Sequence, residues 1–198
     1  MRQLILASTS PYREQLLKQL RYPFTTAAPC YEERIDPTVA PELLVRHLAL
    51  GKAQSLRDKF TDALVIGSDQ VFVDQRGRAL GKPGSIAAAE AQLRQMAGRT
   101  HTFFTGLALV DNRDGSHQCD FSTFSVSFRE LSDQQIANYV RRESPVHCAG
   151  SFMIEGLGIA LMEKMEGDDY TSLIGLPLIK LVTMLDQFGV HILGEDER

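Results

Sequence analysis

Residues 3–20 read QLILASTSPYREQLLKQL, and this stretch decides the fold class. Gln3 to Ala7 is a short apolar run suited to a buried strand. Ser10-Pro11 follows as a helix N-cap with proline at the first helical position. Leu16, Leu17 and Leu20 then give the helix one apolar face. A strand that feeds directly into a capped helix is the repeating unit of α/β proteins, and the same alternation continues downstream.

Pro41 opens a second helix expected to run to about residue 58, with Leu44, Leu48 and Leu56 on one side. Ala63 to Phe72 reads as a strong strand followed by the turn Asp74-Gln75-Arg76-Gly77. Ser85 to Ala97 is alanine-rich and helical, with Gly98 placed to stop it. His101 to Val110 and Phe121 to Phe128 read as antiparallel strands joined through Asn112-Arg113-Asp114-Gly115. Ser132 with Gln135 forms a capping-box signature for a helix to about Arg142. A strand is expected at Gly158 to Met162, a final amphipathic helix at Pro177 to Phe188 ended by Gly189, and a frayed tail at 194–198. The sum is a mixed sheet with helices around it, without a readable strand order.

With 198 residues, 43% of them hydrophobic and 23% charged, the chain is sized for one compact domain with a real core. The net charge of -4 argues against a general nucleic-acid binder, while a few placed cations still suffice for a small anionic ligand. Cys30, Cys119 and Cys148 form no C-x-x-C pair and fit a reducing cytosol as free thiols. The N-terminus reads as a first strand rather than a signal peptide, and no apolar run approaches the roughly 18 residues that span a bilayer.

Several enzyme classes are excluded by missing motifs. There is no G-x-x-x-x-G-K-[ST] phosphate loop and no H-E-x-x-H metal pair among histidines 47, 101, 117, 147 and 191. Ser151, in Ala149-Gly150-Ser151-Phe152, lacks the second glycine of a nucleophile elbow. The remaining charged residues fit either a phosphate site or ordinary roles: a capped helix with a surface arginine, a turn aspartate, a snorkelling helix lysine and an exposed turn lysine. At the first strand-to-helix junction, unpaired backbone N–H groups, the hydroxyls of Ser8 and Ser10, and the forked cation of Arg13 gather at a helix start, where an anion relieves the arginine's clash with the dipole. Asp69 closes a strongly apolar run and needs a cation or donors to be tolerated there. Glu32-Glu33 lie in a polar stretch with Arg34 and Asp36. Lys52 shares a helix face with Leu48 and Leu56, and Lys82 is presented by the stiff loop Gly81-Lys82-Pro83-Gly84.

Taken together, LILASTSPYR at 4–13, EE at 32–33, GKAQSL at 51–56, IGSDQV at 66–71, GKP at 81–83, TGLAL at 105–109, CAGSF at 148–152 and GLPL at 175–178 resemble the Maf family of nucleotide pyrophosphatases, over roughly residues 3 to 190. The resemblance implies a Maf/ITPase-like α/β fold over 1–198: an elongated mixed sheet with flanking helices, in two lobes around a central cleft. It implies cleavage of a nucleoside triphosphate to the monophosphate and pyrophosphate. Ser8, Arg13, Lys52 and Lys82 would hold the triphosphate, Glu33 and Asp69 would hold a divalent cation (Mg²⁺ or Mn²⁺), and Asp69 would act as the catalytic base.

Three positions resemble the YceF-like branch of the family, which acts on 7-methyl-GTP. Gln70 stands where the dTTP/UTP branch has threonine, and could add an amide contact to the base. Tyr12 stands where this branch often has Trp, and Glu155 where the dTTP/UTP branch has glutamine. A 7-methylguanine ring is cationic, so stacking on Tyr12 would add a cation–π attraction of about 0.5 to 2 kcal/mol. Glu155 could accept from the guanine N1–H and amino group. Glu32 replaces the usual Asp beside Glu33 and lies outside the expected metal pair. The alternatives left open are a Maf pyrophosphatase for GTP, dTTP or UTP, and a nucleotide-binding regulator of cell division. The expected partner is a small nucleotide in the cytoplasm, with neither nucleic acid nor membrane, and a homodimer stays open.

Overall fold

The computed structural model describes residues 2–33 and 38–194. Arg34, Asp36 and most of the expected tail, 195–198, lie outside the described residues. The strands are β1 (Gln3–Ala7), β2 (Thr25–Ala27), β3 (Ala63–Val73), β4 (Thr100–Asp111), β5 (His117–Phe128) and β6 (Met162–Glu166). The helices are α1 (Pro11–Leu17), α2 (Pro41–Gln54), α3 (Ile86–Met96), α4 (Asp133–Glu143), α5 (Tyr170–Ile174) and α6 (Leu178–Gln187). The strands form one sheet in the order β2-β1-β3-β4-β5-β6. β1 pairs parallel with both β2 and β3. From β3 onward the direction alternates. Ala63 O accepts from Asn112 N and Gln70 stands beside Thr105, so β3 and β4 run antiparallel. Thr100 meets Ser127 and Thr102 meets Ser125 through their hydroxyls, as an antiparallel β4–β5 hairpin requires. β5 and β6 are antiparallel with a bulge at Ser127/Phe128.

Contacts divide the chain into two compact units, one of residues 1–70, 104–122 and 169–198, the other of residues 71–103 and 123–168. In the first, strand alternation sorts the core onto two faces. Leu4, Leu6, Leu64, Ile66, Leu107 and Leu109 pack on α1 and α6 through Leu16, Leu17, Leu181, Met184 and Leu185. Ile5, Ala7, Ala63, Val65, Ala108 and Val110 pack on α2 through Ala49 and Ala53. Arg2 and Asp111 form a two-pronged ion pair at 2.6 and 2.7 Å between the start of β1 and the end of β4. In the second unit the core is aromatic: the Phe72 ring stacks on Phe103 at 4.2 Å, and Phe152 meets Phe72, Phe103 and Phe128 edge-on. Tyr139 of α4 accepts from Met153 N through its hydroxyl, and burial pushes that phenol's pKa up to about 12.

The caps read in the sequence are present. Ser10 caps α1 with Pro11 at its start, and Ser132 and Gln135 complete the capping box of α4. Gly98 and Gly189 follow α3 and α6 with φ of 67° and 75°. Two expectations are corrected. The strand expected at Gly158 to Met162 is a 3-10 helix, Leu157–Leu161, and the strand begins at Met162. Gly156 N and Gly158 N both donate to Met153 O, which curls the chain. Any side chain at Gly158 would strike that carbonyl at 2.2 Å. The helix expected to reach residue 58 ends at Gln54, after which i→i+3 bonds such as Arg57 N to Gln54 O tighten it into turns. β2 and α5 are too short, at three and five residues, to leave a periodic signal.

Candidate functional site

β3 carries the chemistry because it deals consecutive residues to opposite faces. Ala63 and Val65 face α2, and Asp69 continues that row. Its neighbours Ser68 and Gln70 continue the row of Leu64 and Ile66, toward α1 and the α5–α6 segment. Asp69 is 7% exposed and Lys52 of α2 is also 7% exposed. The Lys52 Nζ donates to Asp69 Oδ1 at 2.5 Å and lies 2.7 Å from Glu33 Oε1. One ammonium thus draws two carboxylates together, one buried and one open to solvent.

Three glycines make that approach possible. A Cβ on Gly67 would sit 2.0 Å from Ala49 O, and one on Gly106 would sit 2.1 Å from Val45 O. The absence of side chains there lets the α2 backbone lie directly on β3 and β4, at the height where Lys52 meets Asp69. A Cβ on Gly51 would meet the Tyr31 ring at 2.4 Å, so this glycine seats the segment that carries Glu33.

Arg13 enters from α1. Ser10 Oγ accepts from its backbone N at 3.4 Å, and its Nε donates to Gly175 O at 2.8 Å. Burial lowers its guanidinium pKa, against the attraction of Asp69 and Glu33. For Asp69, burial raises the carboxyl above the usual range, opposed by Lys52 and Arg13 and reinforced by Glu33. Ser8 is buried, and its Oγ accepts from Ser10 N at 3.0 Å, which leaves the hydroxyl hydrogen for an acceptor such as a phosphate oxygen. Tyr12, 48% exposed, offers a bare ring on the same helix.

Of the residues singled out from sequence, the first unit therefore brings Arg13, Glu33, Lys52 and Asp69 into one electrostatic cluster. Lys52, expected on the phosphates, stands between the two acids in this structure. Gln70, singled out for base choice, has one end of its amide committed. Its Nε2 donates to Ser172 O, Leu173 O and Thr105 Oγ1, so only Oε1 is left to meet a ligand, as an acceptor. Lys82 and Glu155 belong to the second unit. There the backbone on either side of Lys82 is tied, Gly81 O by Gly150 N and Gln92 Nε2, and Gly84 N by Val146 O. Lys82 and Glu155 are both exposed, and both act on Cys148, whose thiol pKa is raised by burial and by Glu155 and lowered by Lys82. Sequence reasoning missed Ser68, Thr105, Asp169 and the packing glycines. The parity of β3 around Asp69 was the signal that could have found Ser68 and Gly67.

The donor set suits a hard divalent cation, since two carboxylates already share one positive charge. Among the described residues no group of three or more His, Cys, Asp or Glu side chains gathers to hold an ion.

Comparison with known proteins places the chain in two steps. The fold is that of the HAM1 class: a HAM1 protein from Coxiella burnetii superposes with a TM-score of 0.54, covering 94% of this chain and 100% of that one at 14% identity. The family is closer. The Maf-like protein family model matches residues 3–188, and the chain belongs to the Maf family. Among its curated relatives, the 7-methyl-GTP pyrophosphatase of Syntrophotalea carbinolica is 59% identical, over 98% of this chain and 99% of that protein. The 7-methyl-GTP pyrophosphatase of Chromohalobacter salexigens is 48% identical, over 98% of this chain and 100% of that protein.

Proposed function

We propose that this protein hydrolyses 7-methyl-GTP to 7-methyl-GMP and pyrophosphate, clearing a modified nucleotide. Membership of the Maf family and relatives named for this activity support the reading. The observation that carries its chemistry is the bridge from Lys52 to Asp69 and Glu33, with Arg13 beside it.

In the reaction, a water oxygen bonds to the α-phosphorus, the bond from that phosphorus to the bridging oxygen breaks, and pyrophosphate leaves. Asp69 accepts the water's proton. Lys52 holds Oδ1, so Oδ2 is the atom that takes it. Burial raises the affinity of this carboxylate for a proton, which suits a base better than a solvated aspartate would. Arg13, with Nε committed to Gly175 O, presents its two Nη groups to phosphate oxygens as a fork. Ser8 donates its hydroxyl and Lys52 supplies a buried positive charge. For Lys82 and Glu155, which belong to the second unit, the family resemblance implies a phosphate contact and a guanine contact. Tyr12 would stack on the cationic base, and Gln70 Oε1 would accept from its N1–H or amino group. Glu33 and Asp69 are the residues to hold a Mg²⁺ or Mn²⁺ ion, which would neutralise phosphate charge when bound.

The test is pyrophosphate release across 7-methyl-GTP, GTP, dTTP and UTP, with and without chelator. The highest kcat/KM belongs to 7-methyl-GTP, turnover stops with chelator, and folded Asp69→Asn is inactive. A preference for unmodified pyrimidines removes the base assignments. Turnover by Asp69→Asn removes the base itself.

A further inference from the structure

The face of β3 opposite Asp69 is wired to one short turn. Ser68, wholly buried, lies with its hydroxyl 2.8 Å from Gly106 O and 2.9 Å from Gly175 O. Gly175 O also accepts from Arg13 Nε. Three residues earlier, Ser172 O accepts from Gln70 Nε2 at 2.8 Å and from Thr105 Oγ1 at 2.8 Å, and Leu173 O accepts from Gln70 at 3.1 Å. These carbonyls lie at the C-terminal end of α5, where no further helical N–H reaches them. The side chains of the site take that place. Conversely, the turn decides where those side chains stand: it takes the Nε hydrogen of Arg13 and, together with Thr105 Oγ1, the amide hydrogens of Gln70.

The turn in turn hangs on Asp169, which is 6% exposed and whose carboxylate is bound by Thr171 and Ile179. Its Oδ1 accepts from Thr171 N at 2.8 Å and Thr171 Oγ1 at 2.5 Å. Its Oδ2 accepts from Ile179 N at 2.9 Å, at the start of α6. Thr171 Oγ1 also accepts from Leu178 N at 2.9 Å. One carboxylate therefore fixes the first turn of α5 and the first turn of α6, and so both ends of the loop that contains Gly175. Between them Gly175 has φ of 123°, a conformation open to glycine. A Cβ there would lie 3.4 Å from Arg13 Nε.

We propose that Asp169 is a positioning residue: it holds the α5–α6 turn so that the Gly175 carbonyl aims the Arg13 fork and the Ser172 and Leu173 carbonyls hold Gln70 with Oε1 free. Arg13 as a phosphate ligand rests on the proposed nucleotide function, but its aim can be read without turnover. In Asp169→Asn, an NH₂ group placed at Oδ2 opposes Ile179 N–H, and the clamp opens. The measurement is the Kd of inorganic pyrophosphate with Mg²⁺ by calorimetry, together with KM and kcat for 7-methyl-GTP. Circular dichroism and the unfolding midpoint select folded protein.

The expected result is a Kd and a KM raised roughly tenfold, the scale of a lost charge-assisted contact, with kcat changed less than about threefold. Thr171→Val, which removes the hydroxyl without changing shape, follows Asp169→Asn, and Thr171→Ser, which keeps it, stays near wild type. Combined with Arg13→Lys, the Asp169→Asn loss is less than multiplicative, because both act on one contact. Folded Asp169→Asn with wild-type Kd and KM, or fully multiplicative losses, overturns the assignment. If Asp169→Asn does not fold, equal Kd values for Thr171→Val and Thr171→Ser overturn it instead. Absence of pyrophosphate release from any nucleotide by the wild type sinks the functional reading alone, and the pyrophosphate Kd still decides the positioning role.

Discussion

Replacing Gly67 by alanine adds a single methyl group at the point where α2 lies on β3. The new carbon would stand 2.0 Å from Ala49 O and 2.9 Å from Ala53 N, both backbone atoms of α2. Ordinary van der Waals contact begins at 3.4 Å, so neither a rotamer change nor a flexible tip relieves the clash. The helix has to retreat by about an ångström or more, or β3 has to bend, and overpacking of this kind costs about 3 kcal/mol at its upper range. For a chain of this size that is a fall in Tm of about 6 to 12 °C. The functional effect is larger than the stability effect. Lys52 lies on α2 between the two clashing residues, and its bond to Asp69 is 2.5 Å long. A retreat of about an ångström takes that contact beyond hydrogen-bonding range. Urea unfolding at pH 7 and kcat measured on the folded fraction check both effects. A Gly67→Ala protein with an unchanged midpoint and unchanged turnover refutes the claim that glycine contact sets the lysine–aspartate bridge.

Other perturbations read separate parts of the account. Lys52→Met leaves Asp69 buried beside Glu33 without its cation and destabilises the fold by about 3 kcal/mol at neutral pH; Lys52→Met/Asp69→Asn regains stability but not turnover, as urea titration and pyrophosphate assay will show. Asp111 has its pKa lowered, first by the Arg2 hydrogen bonds. Its contribution is therefore present above the ordinary carboxylate pKa and lost as pH falls below about 4. Asp111→Asn is less stable than wild type at pH 7, and the gap shrinks at pH 3; a gap independent of pH contradicts this. Tyr139→Phe removes the acceptor for Met153 N and costs about 1 to 2 kcal/mol in urea unfolding, with kcat unaffected.

How much could be read from the chain depends on how local each signal is. Caps and turn glycines act within four residues, so Ser10-Pro11, Ser132 with Gln135, and Gly98 marked their elements correctly. The run around Leu157–Leu161 misled because its curl depends on a close contact of Gly158 with the Met153 carbonyl, and hydrophobicity does not record backbone space. The site behaved likewise. Asp69 stood out as an acid just after a strongly apolar run, and Arg13 as a cation at a helix start. That Lys52 would bridge Asp69 and Glu33 follows from where Gly67 and Gly106 let α2 settle, a tertiary fact. Gln70 looked like a base contact. Its amide nitrogen is bound to carbonyls more than a hundred residues away, a tertiary fact that fixes which end of the amide remains for a ligand.

In the proposed reaction, water attacks the α-phosphorus of a nucleotide held by this cluster. Hydrolysis of 7-methyl-GTP in ¹⁸O-labelled water with Mg²⁺, followed by mass spectrometry of both products, measures it directly. The account predicts the label in 7-methyl-GMP and none in pyrophosphate, with no products from folded Asp69→Asn. Label in the pyrophosphate, or release of inorganic phosphate in its place, would contradict it.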